Sequence, residues 1–313
     1  MSFSGMVKEE LSRQVSTARH CRIAEIAALL SACGRMTADG ILHFQTENYA
    51  VVRKYFTLLT KTFNIDTAIA IRESCQMKKG KVYFVEIADP AQIETVLQGT
   101  KLSADKCSGE TLYAGNGLVI QQSCCKRAFI RGAFLASGSI SDPEKGYHFE
   151  IVCSDEQKAG QLRELIRSFE IDAKIVMRKK SYVVYVKEGA QIVDMLAVME
   201  ANVALMNLEN IRIVKEMRNT VNRKVNCETA NINKTVSAAV KQIEDIRFIQ
   251  MSSAFDELPE SLQEMAELRV RYPEATLAEL GQLLDTPVGK SGVNHRLKKI
   301  SLFADELRER HHQ

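Results

Sequence analysis

The sequence predicts an α+β protein: an N-terminal domain with pseudo-twofold symmetry and two saddle-shaped sheets, followed by an all-α domain. Three observations carry this reading. A glycine-terminated helix signature occurs twice, as Ile26-Ala-Ala-Leu-Leu-Ser-Ala-Cys-Gly34 and as Ile130-Arg-Gly-Ala-Phe-Leu-Ala-Ser-Gly138. The elements that follow each copy come in the same order. From about residue 206 the composition changes and helical periodicity takes over.

Small residues along one face of each signature helix let two such helices meet nearly backbone to backbone. Each terminal glycine is expected to take the left-handed conformation that ends a helix, and to start a strand. The glycines are 104 residues apart. After Gly34 the pattern predicts a strand near 40–46, a helix near 48–63, strands near 66–72 and 81–87, and a helix near 90–99. After Gly138 it predicts a strand near 146–153, a helix near 155–169, strands near 172–178 and 181–187, and a helix near 190–201. Thr46 or Asn48, and Ser154 or Asp155, are the polar caps that open the central helices. The runs Lys81-Val-Tyr-Phe-Val-Glu-Ile and Ser181-Tyr-Val-Val-Tyr-Val-Lys are β-branched and aromatic, as strands prefer.

The paired signature resembles the LAGLIDADG motif of homing endonucleases, whose paired helices carry a metal-binding acid just before the final glycine. Here Cys33 and Ser137 stand in those places. The resemblance implies a DNA-cutting scaffold whose Mg²⁺-holding carboxylates are missing. No catalytic residue is therefore assigned. Asp39, Asp142 and Glu144 follow the glycines by several residues and are expected in loops.

Charge and composition are permissive. The 42 Lys and Arg against 39 Asp and Glu give a net charge of +3, which neither demands nor excludes nucleic acid. No run of about eighteen apolar residues occurs, and the N-terminus shows no apolar signal region. A soluble, cytoplasmic chain without a membrane role is expected. The eight cysteines make no CxxC pair and no secreted framework, so reduced thiols are expected. The 104-residue offset aligns Cys21 with Cys125 and His20 with Cys124. A zinc site from these four is one reading. Buried thiols packing two helix starts are the favoured one, since adjacent residues do not readily point at one metal, so neither metal nor cofactor is assigned. His43 and His148 show no catalytic spacing.

Residues 206–254 form a basic, Asn-rich linker and helix. Between 212 and 224 lie Arg212, Lys215, Arg218, Arg223 and Lys224 against one acid, Glu216. The recurring asparagines favour caps and turns, so short helical pieces joined by a hinge are expected, with a helix at 236–250. The basic stretch reads either as a solvated linker or as a phosphate-contacting arm on DNA. In 255–313 a helix at 261–271 ends at Tyr272-Pro273. Thr276 caps a second helix at 277–284, Asp285-Thr-Pro-Val is a turn, and a third helix runs from Gly289 to Ile300. Val293, Leu297 and Ile300 face inward, and a helix, a tight turn and a helix make a helix-turn-helix. Outward lie Lys290, Ser291, Asn294, His295 and Lys298, flanked by Arg296 and Lys299, with no acid between 286 and 304. Such a face suits the major groove: lysines for phosphates, and Asn294, Ser291 and Arg296 for base edges.

A degenerate LAGLIDADG domain (1–205, repeats about 22–100 and 124–203) joined to a C-terminal helix-turn-helix resembles the WhiA family of bacterial regulators. The close matches are Met217-Arg-Asn-Thr-Val-Asn-Arg-Lys-Val-Asn-Cys-Glu-Thr-Ala-Asn231, Arg131-Gly-Ala-Phe-Leu-Ala-Ser-Gly-Ser-Ile-Ser-Asp-Pro143 and Gly292-Val-Asn-His-Arg-Leu-Lys-Lys-Ile300. The resemblance runs the full length. It implies a nucleoid-associated transcriptional regulator of sporulation and cell-division genes, with a part in chromosome segregation, and not an enzyme. Its expected partners are double-stranded promoter DNA and a protein of the transcription machinery. Two alternatives remain: a protein-interaction scaffold on the dead nuclease fold, and a metal-dependent endonuclease with displaced acids.

Overall fold

The structure is a computed structural model that describes residues 2–73, 81–104, 112–114 and 118–311. Cys75 and Cys107 lie outside the described residues. The chain divides into two compact units, Met1–Lys215 and Glu216–Gln313.

Unit 1 opens with α1 (Phe3–Arg13), which the sequence reading does not foresee. Ser2 caps it by accepting from the Gly5 amide, and Val7 and Leu11 are buried. The first repeat follows: α2 (Arg19–Cys33), β1 (Gly34–Met36), β2 (Leu42–Thr46), α3 (Tyr49–Phe63), β3 (Ile69–Glu73), β4 (Lys81–Ile87) and α4 (Pro90–Thr100). A small antiparallel pair, β5 (Leu102–Ala104) and β6 (Leu112–Ala114), and a single 3-10 turn precede the second repeat. That repeat runs α5 (Ser123–Ser137), β7 (Gly138–Ile140), β8 (Phe149–Cys153), α6 (Glu156–Arg167), β9 (Lys174–Arg178), β10 (Ser181–Val186) and α7 (Gly189–Met199).

Each repeat builds one antiparallel sheet, in the orders β1-β2-β4-β3 and β7-β8-β10-β9, so the internal symmetry is real in topology. Register sets the core face, because side chains alternate along a strand. Phe44 lies opposite Val85 in one sheet and Ile151 opposite Val184 in the other, and all four are buried. The expected caps form: the Asn48 side chain accepts from the Ala50 amide and Asp155 from the Lys158 amide, both at 2.9 Å.

The core centres on α2 against α5. A methyl group placed on Gly132 would lie 2.7 Å from the Glu25 carbonyl oxygen and 2.9 Å from the Ala28 Cβ, so the backbones do touch there. The motif glycines depart from expectation. Gly34 (φ −90°, ψ 149°) and Gly138 (φ −83°, ψ 155°) are extended, not left-handed. At Gly138 the constraint is space: a Cβ would fall 2.3 Å from the Phe134 ring and 2.7 Å from its carbonyl oxygen. Both glycines do begin strands.

A buried ion network crosses the same contact. Glu25 Oε1 lies 3.1 Å from Lys54 Nζ and 3.2 Å from Arg131 Nε. Arg131 also reaches Glu200 at 2.7 Å, and Lys54 donates to the carbonyls of Leu11 and Gln14.

The helix α8 (Asn202–Met251) begins in unit 1 and continues into unit 2. It replaces the expected short pieces and hinge. No glycine or proline interrupts 202–251, and Asn is worse than Ala in a helix by only about 0.7 kcal/mol at most. The Thr220 and Thr235 hydroxyls bond back to the Glu216 and Asn231 carbonyls at 2.9 Å, so they do not break the chain of helical bonds. Unit 2 adds α9 (Glu260–Arg271), α10 (Leu277–Gln282) and α11 (Lys290–His311). Its core joins Ile246 and Ile249 to Met265, Leu280, Val293, Leu297 and Ile300. The last helix runs eleven residues past the expected end because Ala304 and Leu307 extend its buried stripe.

Two glycine substitutions separate close packing from backbone entropy. Gly132→Ala forces a methyl into the α2 backbone and is expected to destabilise unit 1 by about 1–3 kcal/mol. Gly160→Ala, where a Cβ meets nothing within 4 Å, is expected to stabilise by about 0.4–1 kcal/mol. Urea unfolding of the full chain followed by circular dichroism reads both, and equal effects would refute the contact argument.

Candidate nucleic-acid interface

The helix-turn-helix is held by backbone contact as well as by apolar packing. Gly281 of α10 is buried, and its carbonyl accepts from the Val288 amide at 3.0 Å. A Cβ on Gly281 would lie 2.2 Å from the Val288 carbonyl oxygen. This crossing fixes the turn that launches α11. The Thr276 side chain accepts from the Glu279 amide at 3.3 Å while Glu279 accepts from the Thr276 amide at 2.7 Å, a reciprocal capping box. Those hydrogen bonds from Thr276 hold the Glu279 carboxyl below the usual carboxylate range.

On α11, Lys290, Ser291, Asn294, His295, Lys298 and Lys299 are all exposed, and Val293, Leu297 and Ile300 are buried. At about 100° per residue the six span roughly half the helix circumference, opposite the buried stripe. Arg296 does not join them. It is half-buried on the flank, and its guanidinium donates to the Ser261 carbonyl at 3.5 Å.

The basic stretch of α8 is dispersed by its own regularity. Every residue from Glu216 to Ala238 is exposed. Arg218, Arg223 and Lys224 point in directions about 100° or more apart around one helix, so they form no common face. Arg212 is paired with Glu209 at 2.9 Å, and Lys215 donates to the Pro143 carbonyl at 2.7 Å.

The ends of the signature helices hold no carboxylate. Cys33 is half-buried, its Sγ 3.9 Å from the Ala136 carbonyl, and burial pushes its thiol up to about 11. Ser137 Oγ donates to the Val152 carbonyl at 2.7 Å. Lysines that the sequence reading did not single out stand nearby. Lys8 of α1 is close enough to Cys33 to feel its charge, and burial lowers its pKa. Lys158 donates to the Ser31 carbonyl at 2.8 Å and lines the same cleft as Ser137. A thiol, a hydroxyl and two ammonium groups are not a donor set for Mg²⁺, which takes oxygen ligands. Asp39, Asp142 and Glu144 lie in loops and turns, as expected.

The outer face of each sheet holds a histidine-bound acid among basic side chains, Arg35 and Arg72 in the first and Arg178 and Lys187 in the second. In the first, His43 Nδ1 is 2.9 Å from Glu86 Oε1 beside Arg35, Arg72 and Phe84. In the second, His148 Nε2 is 3.1 Å from Glu150 Oε2, with Arg178 at 3.9 Å and Val152, Val176 and Tyr185 around them. Both histidines thus bond a carboxylate.

At the opposite, N-terminal ends of α2 and α5, His20, Cys21, Cys124 and Cys125 converge. Their donor atoms all lie within 4.8 Å of one another. Burial pushes the Cys125 thiol up to about 12 and raises Cys21 as well. The six described cysteines are free.

Comparison with known proteins places the whole chain. Three family models match: a WhiA N-terminal LAGLIDADG-like domain over residues 19–103, a WhiA LAGLIDADG-like domain over 126–218, and a WhiA C-terminal HTH domain over 221–304. A protein of Lachnoclostridium phytofermentans named probable cell division protein WhiA is 58% identical over 313 residues, covering 99% of this chain and 100% of that protein. A namesake from Alkaliphilus oremlandii is 46% identical, covering 99% and 98%. The crystal structure of full-length DUF199/WhiA from Thermatoga maritima aligns with a TM-score of 0.61 at 24% identity, covering 98% of this chain and 99% of that one. That likeness establishes a shared fold. No described helix is long and apolar enough to cross a membrane.

The capping box has a signed pH dependence. Glu279 has a depressed folded-state pKa, so its stabilisation is present above the unfolded value, about 4.3, and is lost as pH falls through the folded one. Thr276→Ala is expected to destabilise by about 1 kcal/mol at neutral pH, and by less once Glu279 is protonated. Urea titrations at neutral pH and at a pH low enough to protonate Glu279 in the folded state check this; an unchanged penalty would contradict the reciprocal cap. Gly281→Ala, which drives a methyl into the Val288 carbonyl, is expected to destabilise by about 1–3 kcal/mol and to lower the melting temperature of unit 2, and an unchanged melt would contradict the close approach.

Proposed function

The chain belongs to the WhiA family, and on that premise we propose that it is a sequence-specific DNA-binding protein acting in cell division. The finer reading is transcriptional regulation of cell-division and sporulation genes with a part in chromosome segregation, carried out in the cytoplasm on the nucleoid. The observation that carries DNA binding is the acid-free outward face of α11. Lys290, Lys298 and Lys299 take phosphates and position the helix, while Asn294, Ser291 and His295 meet base edges. Arg296, tethered to Ser261, flanks that face and steadies its docking. Arg218, Arg223 and Lys224 reach phosphates singly rather than as one arm, because their directions diverge. In this scheme 255–313 reads DNA, 206–254 is the basic helical segment, and 1–205 is scaffold.

The chain is not a nuclease in this reading. A hard divalent cation needs clustered oxygens, and Cys33 and Ser137 offer one thiol and one hydroxyl beside Lys8 and Lys158. A second role falls to the sheets. Val152 and Val176 are exposed on the second sheet beside Glu150, which His148 already holds, and this apolar patch is the feature that suits a protein of the transcription machinery.

Binding measured by fluorescence anisotropy on a selected site tests the assignment. Asn294→Ala is expected to weaken specific binding by about 1–3 kcal/mol and relax base preference. Lys298→Ala is expected to weaken all sequences alike and reduce the salt slope by about one charge. Undiminished site-specific binding by both variants would overturn the interface. Plasmid DNA incubated with Mg²⁺ or Mn²⁺ should stay intact, and reproducible cutting by rigorously purified protein would restore the nuclease reading.

A further inference from the structure

The His20, Cys21, Cys124 and Cys125 cluster is not used by the DNA-binding reading. His20 and Cys21 sit in the first turn of α2, and Cys124 and Cys125 in the first turn of α5. The 104-residue repeat makes them symmetry mates, so the four meet where the two helix starts approach across the pseudo-twofold axis. Adjacency, which argues against a shared centre in a single helix, is no obstacle here. Cys21 and Cys125 are buried with Ala24 and Ala128 between the helices, while His20 and Cys124 close over them from the solvent side.

From this geometry we infer that the four side chains form a structural zinc site, with three cysteine sulfurs and one imidazole nitrogen as ligands. Zinc at about 2.3 Å from sulfur and about 2.0–2.1 Å from nitrogen in a tetrahedron needs donors roughly 3.5–3.8 Å apart. His20 Nδ1 lies 3.1 Å from Cys125 Sγ, 3.4 Å from Cys21 Sγ and 4.0 Å from Cys124 Sγ. These distances bracket the required nitrogen–sulfur edge, and with all donors within 4.8 Å of one another closure takes shifts of up to about 1 Å. Soft thiolates with imidazole select zinc and reject Mg²⁺. Four protein ligands leave no open position, which makes the site structural rather than catalytic.

Two further features suit a metal. Neither α2 nor α5 has a side-chain N-cap, a lack they share with α7 and α9, so their first-turn amides are open to another partner. Thiolates in the first turn would lie at the positive ends of both helix dipoles. The exposed pair, His20 and Cys124, leaves an entry path for the ion. The site would staple the helix starts about 20 Å from Cys33 and Ser137, since a 15-residue helix rises about 1.5 Å per residue. It is thus unrelated to the lost acid positions.

The full chain, purified under reducing conditions after growth with added zinc, is assayed by elemental mass spectrometry for bound metal. About one zinc per chain is expected. His20→Ala and Cys124→Ser change exposed residues and should leave the fold intact. Each is expected to weaken zinc at least as much as outer-shell changes do, about 10–100-fold, read by competition with a chromophoric chelator. Cys227→Ser, an exposed thiol elsewhere, should change nothing. Cobalt added to the metal-free chain should give tetrahedral visible bands and a thiolate charge-transfer band that Cys124→Ser weakens. Wild-type chain that takes up neither zinc nor cobalt would overturn the inference, as would variants that bind both as tightly as wild type. So would a disulfide among Cys21, Cys124 and Cys125 trapped by thiol blocking at lysis.

Discussion

The contact at Gly132 governs the architecture of unit 1. With the α5 backbone resting against the Glu25 carbonyl, α2 and α5 can only be a pair, and the two sheets must leave from its far end at Gly34 and Gly138. So close an approach leaves little room for side chains, and the specificity of the pairing passes to the buried ions. Glu25 receives both Lys54 and Arg131, Lys54 also donates to two carbonyls at the end of α1, and Arg131 continues to Glu200. Five helices, α1, α2, α3, α5 and α7, thereby share one polar knot. A buried ion pair is often no more stable than a hydrophobic substitute, yet breaking one by removing a partner commonly costs about 3–5 kcal/mol. The knot therefore penalises wrong arrangements more than it rewards the right one.

What was legible in the sequence was local. Asn48 and Asp155 announced their helices, the β-branched runs announced β4 and β10, and the Thr276 cap with its turn announced the helix-turn-helix. What was hidden was set by residues far apart in the chain. Nothing near Lys54 or Arg131 indicates a shared carboxylate at Glu25. Lys8 lies 25 residues before Cys33, so the cation beside the motif end leaves no spacing signal. Two misreadings came from treating preference as rule. Asparagine lowers helix propensity only slightly, and without a glycine or proline α8 runs on through Asn219, Asn222, Asn226, Asn231 and Asn233. Glycine at a helix end permits a left-handed turn, but at Gly138 the Phe134 ring demands the missing Cβ instead. Gly281 had the same kind of role, and it was visible only once Val288 was seen to touch it.

For the cysteines the local rule was right about burial, since Cys21 and Cys125 do pack between the helices, but it did not foresee that all four donors converge. Adjacent residues in one helix diverge, so pairs such as His20-Cys21 read as packing. Two helices related by a pseudo-dyad double each pair, and divergence within a helix becomes convergence between helices. Symmetry can build a four-donor cluster from two motifs that are individually uninformative.

The same symmetry explains how the acids could be lost without loss of fold. In the LAGLIDADG motif that this chain resembles, the metal-binding acid stands at the last turn of its helix, where the dipole is negative and a carboxylate is disfavoured. Two such acids near a pseudo-dyad also repel each other unless a cation sits between them. Replacing them by Cys33 and Ser137 removes both penalties. Ser137 then finds a partner in the Val152 carbonyl, and Lys8 can approach Cys33 without meeting a divalent ion. The catalytic acids are positions where function opposed stability. With a helix-turn-helix domain in the same chain, nothing in the packing at Gly132 requires those acids to return.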